Sequence, residues 1–395
     1  MSSVKKKVSA VQEKVYKIAF AGGGTGGHIY PGIAVADELT AYFKKKGKKV
    51  QIDWIGNSKG MDKSIIEKNL ISEGGSITKF HGIPCGKLRR YFSIQNFFDL
   101  FKIFAGLVKS YFILKKLKPD LLFSKGGFVS VPPCMAAKKL KIPYFTHECD
   151  FTPGLATRLN SKGAKNIFLS YEETASYFKD ELKDKCLVTG NPVRPVFYLD
   201  LEEEGRKFLG IPEKTKKPVL LVLGGSLGAK QINDLIIENL AWLKERFIVV
   251  HQTGKAFAQE NPDVMKMIGE NYKPYAFIYK EMPSVIQAAD IIISRSGANS
   301  LWECAVCSKP MVLIPLEGNG TRGDQLDNAK FFEKQGGAIV LTGREADTAH
   351  LVVTLNNLLE TKKRKVLSQG VKAMCPKKKP SLVLAELIYS GVVQK

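Results

Sequence analysis

Short apolar runs alternate along this chain with longer stretches whose apolar residues recur every three or four positions. The runs Val15-Tyr16-Lys17-Ile18-Ala19-Phe20, Val50–Ile55, Leu121–Phe123, Tyr144–Thr146 and Asn166–Leu169 predict strands, and the amphipathic stretches between them predict helices. Such alternation implies a parallel sheet with crossover helices. It stops at Asn191-Pro192-Val193-Arg194-Pro195, because two prolines suit neither a helix interior nor a central strand. It resumes at Val219–Leu223 and runs on through Phe247–His251, Ala276–Tyr279, Ile291–Ser294 and Met311–Ile314, predicting a second α/β unit. The pattern divides the chain into a basic tail (1–14), a first domain (15–195), a linker (196–217), a second domain (218–380) and an apolar C-terminal helix (381–395). That last helix is expected to pack back on the first domain.

Both halves open with the same device, a strand, a glycine turn and a helix. The first turn is Ala-Gly-Gly-Gly-Thr-Gly-Gly-His-Ile-Tyr-Pro-Gly over Ala21–Gly32; the second is Gly224-Gly225-Ser226-Leu227-Gly228-Ala229. Each gathers backbone N–H groups and the positive end of a helix at one spot, where a side chain would keep a ligand away. Two such units predict a ligand cleft between them, at the carboxyl ends of the strands.

Composition narrows the field. A chain of 395 residues with 44% hydrophobic and 25% charged residues is long enough for two globular domains. Its net charge of +22 calls for an anionic partner: nucleic acid, an acidic membrane surface or a phosphorylated substrate. Lysine runs such as Lys44-Lys45-Lys46 also read as solvated surface. Seven scattered cysteines in a large chain favour a reducing compartment, and the single Cys304-x-x-Cys307 pair reads as two buried helix thiols. With neither a signal peptide nor a bilayer-length apolar run, the expected place is the cytoplasm.

Several residues carry candidate chemistry. Gly22-x-Gly24-x-x-Gly27 matches a dinucleotide fingerprint, yet the second strand ends Ile55-Gly56-Asn57 with Asp53 inside it, which disfavours a nicotinamide cofactor. No Gly-Lys-Ser/Thr follows either turn. Ser226 adds a hydroxyl to the second turn, and Ser294–Glu303 forms another strand–turn–helix unit whose Glu303 suits the two hydroxyls of a ribose. Arg194, between two prolines, is placed to reach the cleft and pair with a phosphate. With no Asp-x-Asp in the chain, a diphosphate would be held by helix N-termini and Arg, without a metal or other cofactor. The segment Lys87–Lys118 mixes basic residues, among them Arg89, Arg90, Lys102, Lys109, Lys115 and Lys116, with large apolar ones such as Phe97, Phe98, Phe101, Phe104 and Phe112 and a single acid, Asp99, the composition of a helix with one face for core and one for lipid.

Taken in order, Gly22–Gly32, Ser124-Lys125-Gly126-Gly127-Phe128-Val129-Ser130, His147-Glu148, Gly190–Arg194, Gly224–Ala229, Arg295-Ser296-Gly297 and Asp324-Gln325-x-x-Asn328-Ala329 resemble the MurG family. These are glycosyltransferases of family 28 with two Rossmann-like domains, the GT-B fold. The resemblance implies an inverting transfer of N-acetylglucosamine from UDP-N-acetylglucosamine to the muramyl 4-hydroxyl of lipid I, the undecaprenyl-diphosphate-linked muramyl-pentapeptide of peptidoglycan synthesis. It implies that Ser226 and Arg194 lie near the donor diphosphate and that the Tyr279 backbone meets uracil. Ala298, Asn299, Ser300, Leu301, Trp302 and Glu303 then line the nucleotide, and Gln325 contacts the sugar. Thr25, Gly26 and Gly27 face it from the other domain. Asp150 stands where the family commonly has Asn, and Asp324 where it often has Gln or His.

For the base that removes the acceptor's proton, His28 leads, with Glu148 and Asp150 in reserve. The Lys125-Gly126-Gly127 turn offers backbone N–H groups to the acceptor's diphosphate. The implied location is peripheral, on the cytoplasmic face of the inner membrane, held by an anionic surface. Another GT-B transferase, acting on a lipid such as diacylglycerol, would keep the UDP site without that turn. A UDP-sugar epimerase has no use for the lipid-facing segment, and no nucleic-acid motif accompanies the charge.

Overall fold

The computed structural model describes residues 14–86, 94–224, 228–318 and 323–394. Two fully parallel sheets make up the frame, each with helices on both faces. The first has seven strands: β1 (Val15–Gly22), β2 (Lys49–Asn57), β3 (Lys79–Ile83), β4 (Leu121–Gly126), β5 (Tyr144–Glu148), β6 (Asn166–Leu169) and β7 (Cys186–Val188). The second has six: β8 (Val219–Leu223), β9 (Ile248–Gln252), β10 (Tyr272–Tyr275), β11 (Ile291–Ser294), β12 (Met311–Leu313) and β13 (Ala338–Val340). Their orders are β3-β2-β1-β4-β5-β6-β7 and β10-β9-β8-β11-β12-β13. Strand order therefore reverses between β1 and β4 and between β8 and β11, and beside these switch points lie the two glycine turns.

The central strands are mostly aliphatic or aromatic and buried on both faces, which is why they read as near-continuous apolar runs. On one face of the first sheet, Ile18, Phe20, Trp54, Phe123 and Phe168 pack on Ile29, Ile33, Leu39 and Phe43 of the Gly26–Lys45 helix. Leu384, Ala385, Ile388 and Val392 join the same core from the Pro380–Val393 helix, so the chain's last helix packs on the first domain. On the other face Leu122, Ile167 and Leu169 pack with Leu114 of the Ile94–Leu117 helix and with Cys134, Ala136 and Ala137.

Two expectations change. The stretch 196–217 is not open linker: it holds the Glu202–Phe208 helix, whose Gly205 packs on the backbone of Ser284 in the second domain. Residues 276–279 are not a strand; the edge strand lies one step earlier, at Tyr272–Tyr275, where Pro274 is tolerated because the strand has a neighbour on one side only. The domains also pack directly on one another. Tyr171 and Phe151 of the first domain pack on Trp302 and Phe331 of the second, and Trp302 Nε1 donates to Tyr171 Oη at 3.1 Å.

Candidate active site

The first glycine turn is fixed by a carboxylate. Asp62 accepts the N–H groups of Gly24 (2.8 Å) and Asn57 (2.9 Å), while burial raises its pKa. A Cβ on Gly23 would lie 1.7 Å from Asp62 Oδ2. Glycine is thus needed at 23 for a side chain of the protein itself. Asp62 was not among the sequence candidates, because nothing in the spacing ties it to a turn 38 residues away.

His28 sits in the first turn of the following helix, its N–H donated to Thr25 O at 3.1 Å. Its ring lies against the Gly126–Gly127 turn. A Cβ on Gly127 would come within 2.7 Å of His28 Cδ2 and 2.8 Å of Gly23 O, and its φ of +76° already favours glycine. The two turns interlock through the imidazole. Below them His147 is buried; its Nε2–H donates to Gly190 O at 3.0 Å, since a carbonyl only accepts. Burial, then the charge of Lys125, holds its pKa well below the usual range, so the ring is neutral. Lys125 is itself buried, and its ammonium has no hydrogen-bond partner among the described residues.

The two reserve bases are separated by their partners. Glu148 Oε1 accepts from Cys149 N (2.9 Å) and Asp150 N (3.1 Å), and Oε2 from Gly154 N (2.9 Å). A buried carboxylate with three backbone donors shapes the 149–154 loop rather than collecting a proton. Asp150 reaches the other domain instead: Asn328 Nδ2 donates to it at 3.2 Å and also to Ser296 O at 3.1 Å, while Asn328 Oδ1 accepts from Phe151 N at 2.8 Å. Thr152 Oγ1 donates to Asp327 Oδ2 at 2.5 Å beside it. Asn328, fully buried, is the hub where the first domain's loop meets the second. Among the described residues Glu148, Cys149 and Asp150 form the one cluster with metal-ligand spacing, and the Glu148 oxygens are already committed to backbone.

On the facing wall the 298–303 run divides by helical period. Ala298, Leu301 and Trp302 are buried core, while Asn299, Ser300 and Glu303 are accessible. Asn299, Ser300 and Glu303 therefore offer side-chain atoms to the cleft, and Ala298, Leu301 and Trp302 support them from behind. Glu303 is paired with Arg194, Nη2 to Oε1 3.3 Å; burial raises its pKa and the guanidinium opposes that. Asn191 Nδ2 donates to Asn299 Oδ1 at 3.0 Å, and a Cβ on Gly27 would lie 2.8 Å from Asn299 Nδ2, so the walls meet there. Gln325, in the first turn of the Asp324–Lys334 helix, accepts Leu316 N–H at 3.0 Å. Thr25 and Tyr279 are exposed at the mouth. Ser226 lies outside the described residues, as do Arg89, Arg90, Tyr91 and Phe92 of the basic segment.

This cleft can be set against known proteins. Residues 18–169 match the glycosyltransferase family 28 N-terminal domain, and residues 219–385 match the family 28 C-terminal domain. The chain belongs to glycosyltransferase family 28. Within the family it is similar to a Treponema denticola protein, 49% identical over 96% of this chain and 98% of that one. A Clostridium tetani protein is 40% identical over 88% and 91% of the two chains. Both are named UDP-N-acetylglucosamine–N-acetylmuramyl-(pentapeptide) pyrophosphoryl-undecaprenol N-acetylglucosamine transferase. A crystal structure of Acinetobacter baumannii MurG superimposes with a TM-score of 0.69 at 23% identity, over 95% of this chain and 99% of that one. A UDP-GlcNAc 2-epimerase from Neisseria meningitidis follows at 0.64 and 15%, over 96% and 100%, showing that the GT-B fold is shared beyond the family.

Proposed function

We propose that this family 28 enzyme moves N-acetylglucosamine from UDP-N-acetylglucosamine onto the 4-hydroxyl of the muramyl sugar of lipid I, giving lipid II for peptidoglycan. The observation that carries this is the 49% identity over 96% of the chain to a transferase of that name. In this reading the muramyl oxygen attacks the anomeric carbon, UDP departs from the opposite face, and configuration inverts. His28 takes the proton. Arg194 and Ser226 meet the charge that develops on the diphosphate, helped by the positive end of the Ala298–Val306 helix. Glu303 takes the ribose hydroxyls, the Tyr279 backbone the uracil, and Gln325 the sugar, with Thr25, Gly26 and Gly27 as the opposite wall. Gly126 N–H already donates to Ser124 Oγ at 3.2 Å, so the acceptor's diphosphate is assigned to Gly127.

The same reading places the enzyme on the cytoplasmic face of the inner membrane. No helix among the described residues is long and apolar enough to cross a bilayer. The Ile94–Leu117 helix, however, turns Phe97, Phe101, Phe104, Val108 and Phe112 outward, flanked by exposed Lys102, Lys109, Lys115 and Lys116. An apolar row with basic edges suits an anionic lipid surface. Radiolabelled UDP-N-acetylglucosamine incubated with lipid I should label lipid II. Label appearing only when diacylglycerol replaces lipid I would overturn the acceptor assignment.

A further inference from the structure

Tyr30 stands on the first domain's wall, yet its contacts belong to the donor's side. Its ring lies under the Arg194 guanidinium, 5.1 Å from centroid to Cζ, and Phe197 flanks the same guanidinium at 4.8 Å. A cation between two ring faces is held in plane as well as in place. The Tyr30 hydroxyl is hydrogen-bonded to that of Tyr279 across the cleft, the rings 6.3 Å apart. Arg194 is only partly satisfied: one Nη meets Glu303, while Nε is buried without a hydrogen-bond partner. A delocalised cation kept flat, with a donor to spare, is prepared for a further anionic acceptor.

We propose that Tyr30 is a positioning residue of the donor site, supplied by the opposite domain. Its ring shelves Arg194 where the donor's diphosphate lies, and its hydroxyl ties that shelf to Tyr279 beside the uracil. Grip on the donor then depends on cleft closure, because the shelf and the nucleotide arrive from different domains. The inference rests on the donor site proposed above and adds a residue to it. Glu303 keeps Arg194 extended until a diphosphate takes its place.

The test compares Tyr30→Leu, which keeps apolar bulk without a π face, with Tyr30→Phe, which keeps the face without the hydroxyl. Tyr30→Leu should raise the KM for UDP-N-acetylglucosamine about tenfold, the scale of a desolvated cation–π contact, and leave the KM for lipid I and the Tm unchanged. Tyr30→Phe should stay within about threefold of wild type, since it keeps the ring face and loses only the hydroxyl pair with Tyr279. In an Arg194→Met background Tyr30→Leu should add nothing further. An unchanged donor KM in Tyr30→Leu, or its full effect persisting without Arg194, would overturn the inference. A wild-type protein that labels no lipid from this donor would instead overturn the functional reading beneath it.

Discussion

Changing Phe101 and Phe104 to Asp removes the centre of the outward row on the Ile94–Leu117 helix. The two rings are 62% and 66% exposed. A phenylalanine offers about 200 Å² of surface, so roughly 120–130 Å² of each ring residue meets solvent. At ~25 cal/mol per Å², complete transfer to lipid stabilises attachment by ~3 kcal/mol per ring, and half-immersion at the headgroup boundary by ~1.5. Losing both half-immersed rings costs ~3 kcal/mol, and two new carboxylates on an anionic surface cost ~2 more. A change of ~5 kcal/mol lowers the partition coefficient by more than about a thousandfold. Both rings are already exposed in the fold, so folding stability should hardly move. The assay is co-sedimentation with phosphatidylglycerol vesicles at low and high salt, beside turnover on a lipid I analogue with a shortened chain in detergent. Wild type should pellet at low salt and less at high salt. The double variant should stay in the supernatant, with turnover on the soluble analogue retained. Equal pelleting of the two proteins would refute the lipid-facing assignment of this helix.

Other outcomes follow from single groups. His28→Ala should lower kcat by about 10²–10⁴ while the Kd for UDP, by calorimetry, changes less than about twofold; near-normal kcat would move the base to Asp150. Gly127→Ala places its Cβ 2.7 Å from the His28 ring, so kcat should fall at least about tenfold as the ring is displaced. Wild-type kcat in that variant would show the ring position to be immaterial. His251 is buried between Asn233 Oδ1 (3.1 Å) and Tyr272 Oη (3.3 Å), and burial lowers its pKa to about 3. Between about pH 6.5 and 3 the unfolded chain binds the extra proton, so this contribution is complete above pH 6.5 and falls by ~1.4 kcal/mol per pH unit below it. Urea unfolding at pH 7, 6 and 5 should show a steeper decline in wild type than in His251→Phe, and parallel declines would contradict the burial argument.

Strands buried on both faces were legible because they are continuous apolar runs, as at Val219–Leu223 and Ile291–Ser294. The unforeseen ones are edge strands that are polar or very short: Lys79–Ile83, which carries Lys79, His81 and Gly82, and Cys186–Val188 and Ala338–Val340, each three residues long. Their backbone partners are set by the sheet rather than by local sequence. The Glu202–Phe208 helix was hidden for a similar reason. Its acidic start reads as solvated linker, and only its seat against Ser284 makes it part of a domain.

At the site, residue types were legible and their partners were not. As letters, His28 leads and Glu148 stands in reserve. Their surroundings distinguish them, because three backbone donors commit the carboxylate to a loop while the imidazole packs against a glycine turn. The glycines carry the same lesson further. Density of glycine in the first turn suggested a phosphate cradle, yet Gly23 makes room for Asp62, Gly27 for Asn299 and Gly127 for His28. In each case the space a Cβ would need is taken by another side chain of the protein. These glycines therefore serve contact between turn and turn and between domain and domain. On the proposed reading, a first wall built for contact leaves the donor's phosphates to Arg194 and the second domain, and it explains why a tyrosine of that wall lies against Arg194 itself.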